Sequence, residues 1–134
     1  MNLNKKGITM QRGYDAYRQN HAMVESPEKL IEMLYEGILK FSSMAKRAMQ
    51  DKDIKKKVYY INRTTAIYVE LLNSLDMKGG NIAEYLHGLY SHQMTLLLDA
   101  NIKNDITKLD EVMKVASVLL EAWKEETSLE CAVA

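Results

Sequence analysis

The sequence predicts an all-α protein, an antiparallel up-and-down four-helix bundle with an irregular N-terminal arm. Three observations carry that expectation. Four long segments repeat apolar residues at alternating spacings of three and four, the period of an amphipathic helix. One Pro in 134 residues, 7% aromatic content and few β-branched runs leave little room for sheet. Short polar or glycine-bearing joints separate the segments, with no βαβ pattern and no repeat at solenoid period. The expected division is an arm over 1–25, a bundle over 26–127 and a frayed tail over 128–134.

The arm is the least regular part. RGYDAYRQNHAMV has no steady period, yet Tyr14, Tyr17, Met23 and Val24 are too apolar for a simple solvated tail, so the segment is expected to dock on a surface. The first helix begins after it. Ser26 offers a hydroxyl to free N–H groups, Pro27 presets φ, and Glu28 sits at the positive end of the dipole. Its core row is Leu30, Leu34, Ile38, Phe41, Ala45 and Ala48, ending at the polar turn Asp51-Lys52-Asp53. Gly37 within it costs about 1 kcal/mol relative to alanine, which close packing by another element would explain.

The second helix starts from an Asp53 cap, with a seam of Ile54, Val58, Ile61, Thr65, Tyr68, Leu72 and Leu75. It stops before Lys78-Gly79-Gly80, where glycine permits a left-handed exit. Asn81 is expected to cap the third helix, with Glu84 reaching back as in a capping box. That helix carries Ile82, Ala83, Leu86, Leu89, Tyr90, Met94, Leu97 and Leu98. The fourth has a seam of Ile106, Leu109, Met113, Ala116, Leu120 and Trp123.

Helices two and four are apolar on more faces than a bundle needs. Tyr60, Thr64, Ile67 and Leu71 form a second row roughly 90° around from the helix-two seam, at about 100° per residue. Val112, Val115, Leu119 and Ala122 do the same on helix four. A wider core contact explains either row alone. Both rows together, beside an apolar arm, point to an apolar peptide as their cover, from this chain or a partner. Tyr60, Ile67, Leu71, Val112, Val115 and Leu119 are therefore the expected peptide-binding residues.

Charge and composition exclude several function classes. Lys+Arg 18 against Asp+Glu 18 gives no net field for nucleic acid, and Lys55-Lys56-Lys57 reads as a solvated helix face. MNLNKKGITM has no apolar h-region and no apolar run is long enough to span a bilayer, so no membrane insertion is expected. With one Cys, at position 131, a reducing cytoplasmic setting follows. No catalytic cluster stands out. Glu84 and His87 have the ExxH spacing of di-iron bundles, but a second copy and further inward carboxylates are lacking. His87 and His92 fall on different faces, and no GxxxxGK[ST] loop is present. Neither a metal, a cofactor nor a nucleotide is expected. Nine Met residues would suit an adaptable peptide groove where they reach the surface.

The order of features resembles the flagellin export chaperones, the FliS family. AYRQN (Ala16 to Asn20), SPEKLIEMLYEGILKF (Ser26 to Phe41), GGNIAEYLHGLY (Gly79 to Tyr90), ANIKNDITKLDEV (Ala100 to Val112) and Ala122-Trp123 follow one another over roughly residues 13 to 125. Two departures are a longer arm and Ser91-His92-Gln93 where the family tends to an aromatic-acidic sequence. The resemblance implies a cytosolic, non-enzymatic bundle that binds the disordered C-terminal segment of flagellin, prevents its premature polymerisation and aids its delivery to the type III export gate. It makes the cytoplasmic domain of that gate a second partner, with Tyr14 and Tyr17 as candidate contacts, and leaves open a co-chaperone or regulator. The alternatives are a helical adaptor without a chaperone role and a metal-binding bundle.

Overall fold

The computed structural model describes residues 26–133, with side chains through Ser128. The arm over 1–25, with Tyr14 and Tyr17, lies outside the described residues. Four helices form: α1 (Pro27–Gln50), α2 (Ile54–Asn73), α3 (Asn81–Lys103) and α4 (Ile106–Val133). A 3₁₀ turn, Met77–Gly79, joins α2 to α3. Each helix packs against its two ring neighbours, α1 and α3 both meeting α2 and α4. Antiparallel pairing is fixed at both ends of the α1/α4 interface. Trp123 Nε1, late in α4, donates to the Glu28 carbonyl at 2.9 Å, and Lys46, late in α1, pairs with Asp110 at 2.8 Å.

Local chemistry starts the helices largely where the sequence expects. The Ser26 hydroxyl accepts from the Lys29 N–H, Asp53 accepts from the Lys56 N–H, and Asp105 accepts from the Thr107 N–H. The Thr107 hydroxyl donates to the same carboxylate, and that bond above all holds the Asp105 carboxyl below its ordinary range. Asn81 departs from expectation. Gly80, at φ 78°, occupies the cap position with no side-chain bond, and Asn81 is already the first helical residue. α2 ends at Asn73, earlier than expected, because Ser74 Oγ folds back onto the Glu70 carbonyl and closes the last turn. The expected frayed tail also differs, since the α4 backbone stays helical to Val133. No Gly or Pro interrupts that stretch.

The core faces of α2 and α4 are rotated from the expected seams. On α2 the buried positions are Lys57, Ile61, Thr64, Ile67, Tyr68 and Leu71, while Ile54 is 70% exposed. On α4 they are Leu109, Val112, Ala116, Leu119 and Trp123. Gly37 gives the physical reason on α2. A Cβ there would lie 2.9 Å from Ile67 Cδ1, so the bare backbone of α1 receives that side chain and draws the Thr64, Ile67 and Leu71 face inward. Phe41 is half-buried and Ser42 takes the core place beside it. At the bundle centre Tyr35 and Tyr90 hydroxyls meet at 2.7 Å across the α1/α3 diagonal, with the Tyr68 ring 5.9 Å from Tyr90.

Candidate functional site

The expected binding rows do not form a surface groove. Leu71 and Val112 are 1% and 0% exposed, and Ile67 and Leu119 are also buried in the core cluster. Tyr60 and Val115 are half-buried at its edge, and Ala122 is exposed. The wider-core explanation accounts for the four buried residues, because each faces a neighbouring helix. Glu84 and His87 both sit on the exposed side of α3, turned away from the bundle interior where a di-iron pair would have to meet. Among the described residues no group of three His, Cys, Asp or Glu side chains could hold a metal ion. No helix among them is long and apolar enough to cross a membrane.

Rotation of α2 brings other apolar residues outward. Ile54 and Val58, expected in its seam, lie on the outside or edge instead. On α3, Leu98 and Ile102 are 58% and 69% exposed and one turn apart on the same face. Between the helices runs a groove of about 360 Å³ lined by Ile61, Asn62 and Thr65 of α2 and Met94, Thr95, Leu98 and Asn101 of α3. Its lining combines apolar Ile61, Met94 and Leu98 with Asn62, Thr65, Thr95 and Asn101, which carry hydrogen-bonding groups. That combination suits an amphipathic segment laid along the helices, its apolar side down.

One end of the groove is held by a buried cation. Lys57, expected on a solvated face, is 7% exposed, and its ammonium donates to the Asn101 carbonyl at 3.0 Å and to Asn104 Oδ1 at 2.7 Å. α3 leaves carbonyls unpaired at its C-terminus, where positive charge is favoured. Asn104 adopts the left-handed conformation, φ 51°, that ends the helix. Lys57 thus ties the start of α2 to the end of α3 and fixes the spacing of the groove walls. Periodicity signals neither this lysine nor the exposure of Leu98. The length of the α3 apolar run was the available hint, since Leu96, Leu97 and Leu98 cannot all face one core.

Comparison with known proteins agrees with this architecture. The family described as "Flagellar protein FliS" matches residues 10–129. The flagellar secretion chaperone FliS of Campylobacter jejuni is 54% identical over 113 residues, covering 84% of this chain and 88% of that one. The proteins of the same name from Bacillus subtilis and Salmonella typhimurium are 31% and 34% identical, over 88% and 84% of this chain and 88% of each relative. A solved structure described as a flagellar chaperone from bacteria superposes with a TM-score of 0.72 at 16% identity, covering 87% of this chain and 96% of that one. Its fold is the one described above. A helical bundle with an open apolar flank, matched along nearly its whole length by secretion chaperones and by no enzyme among these relatives, belongs to the flagellar protein FliS family.

Proposed function

We propose that this chain is a cytoplasmic export chaperone that binds the disordered C-terminal segment of flagellin. The observation that carries the reading is the exposed pair Leu98 and Ile102 beside the α2/α3 groove, in a family of flagellar secretion chaperones. An exposed apolar flank on a bundle invites aggregation unless something covers it. A disordered segment that must be kept from assembling is a fitting cover, because it orders only on binding and releases at modest affinity. Neither Tyr60, which stacks on Phe41 of α1, nor Val115 of α4 lines this groove, while Ile67, Leu71, Val112 and Leu119 hold the bundle that presents it.

The arm over 1–25 completes the cycle. Tyr14 and Tyr17 lie on the apolar flank when no client is bound, at high effective concentration because they are tethered. Client displaces them, and the freed tyrosines then engage the cytoplasmic domain of the export gate, so that loaded chaperone is the form recognised. The test is titration calorimetry with a flagellin C-terminal peptide. Leu98→Asp and Ile102→Asp each weaken binding at least tenfold, about 1.4 kcal/mol, with helical circular dichroism unchanged. Wild-type affinity in both variants would move the client elsewhere.

A further inference from the structure

The flank between α1 and α2 carries a surface of different chemistry. Phe41 of α1 stacks on Tyr60 of α2 with centroids 6.1 Å apart, and Tyr59 meets Tyr60 edge-on at 5.1 Å. Two cations lie over the Phe41 ring, the Arg63 guanidinium at 5.1 Å and the Lys40 ammonium at 5.8 Å. Tyr59 is 56% exposed, and Met44, three residues beyond Phe41, is exposed as well. Sequence periodicity expects Phe41 in the core. It is displaced outward because Ser42 occupies that place, and the ring becomes a platform.

The charges on this platform are unbalanced. Lys29, Lys46, Arg47 and Lys56 each reach a carboxylate, whereas Lys40 and Arg63 form no ion pair among the described residues. Glu36 stands one turn before Lys40 without pairing with it. On a chain with no net charge this is a local excess of positive charge. A guanidinium stacked on a ring is held in orientation and keeps its N–H edge free for a carboxylate, so little further freedom is lost when one binds. Tyr, Phe, Met and Arg are the types enriched at the centres of protein interfaces.

We infer that the α1/α2 flank is a second docking site, for a segment of a partner protein that carries carboxylates beside an apolar anchor. The carboxylates meet Arg63 and Lys40, and the anchor packs on Tyr59 and Met44. This site is separate from the α2/α3 groove and goes beyond the client reading. Single-stranded nucleic acid also stacks on aromatic rings near cations, but it requires a track of phosphate contacts, and here two cations converge on one ring.

Fluorescence anisotropy on the full chain tests the site, with a fluorescein-labelled peptide of alternating Glu and Leu, its Gln/Leu isostere and oligouridine as probes. The acidic peptide binds, more weakly as salt rises. The double variant Lys40→Gln, Arg63→Gln weakens it at least tenfold, Tyr59→Ala also weakens it, and Arg63→Lys keeps only part of the affinity. Leu98→Asp leaves it unchanged, and the acidic peptide shifts amide resonances at 40–44 and 59–63. The double variant still binds the flagellin C-terminal peptide. The inference is overturned if the acidic peptide fails to bind, if its isostere binds equally or oligouridine more tightly, if the double variant keeps full affinity, or if that variant loses the flagellin peptide.

Discussion

Gly37 shows how one missing methyl group orients a helix. Its Cβ position lies 2.9 Å from Ile67 Cδ1, the far end of a flexible side chain. Alanine at 37 therefore gains helix propensity of about 1 kcal/mol and loses most of it by pushing on Ile67. Shortening the neighbour separates the two effects. Ile67→Val costs about 1 kcal/mol alone, and Gly37→Ala then becomes stabilising in the Ile67→Val background while near neutral in the wild type. Urea unfolding of the four proteins measures this as a positive coupling between the sites. Additive changes would mean that Ile67 does not press on Gly37. The same contact explains why Ile67 and its row neighbour Leu71 are core, and why aspartate at either position would be expected to unfold the bundle rather than merely reduce binding.

At the scale of the element, the helix starts differ in what holds them. Ser26→Ala and Asp53→Ala remove observed caps and each lower stability by about 1 kcal/mol. Asn81→Ala changes it little, because Gly80 holds the cap position and Asn81 makes no capping bond. Denaturant midpoints separate the three variants, and an Asn81→Ala loss equal to that of Ser26→Ala would contradict the described start of α3. The caps at Ser26 and Asp53 were legible because a hydroxyl or carboxylate before a periodic run satisfies N–H groups within its own turn. The facing of α2 and α4 was not. Each carries two apolar rows, and period alone cannot say which one meets a neighbour. Leu109, Ala116 and Trp123 were read correctly on α4, whereas Val112 and Leu119 required knowledge of what packs against them. Lys57 was illegible for the same reason, since its acceptors, Asn101 and Asn104, belong to another helix. The exposed flank was hidden by its own composition: Ile54, Val58 and Leu98 look like core until the helices are rotated.

For the whole molecule, the buried tyrosines at the centre of the bundle set a limit on alkaline stability. Burial pushes Tyr35 up to about 12, against the opposing bond from Tyr90, and burial raises Tyr68 and Tyr90 as well. An unfolded tyrosine loses its proton at about pH 10. Below that pH both states are protonated and the contribution is fully present. Above it the unfolded chain releases protons that the folded one retains, so stability falls as pH rises from about 10 through the folded value near 12. Of the eight tyrosines, the share of tyrosinate absorbance from these three buried rings should therefore appear only as helical circular dichroism is lost in an alkaline titration, and their early ionisation in a folded bundle would contradict their burial. The bundle so held presents the α2/α3 flank, the proposed surface for the flagellin segment. Hydrogen exchange of the full chain, with and without a flagellin C-terminal peptide, reads out whether that flank is covered. Peptide binding is expected to add protection over 54–62 and 94–103, with amides around 14–24 losing protection as the arm is displaced. Unchanged exchange over 54–62 and 94–103 in a saturated complex would contradict the proposed surface.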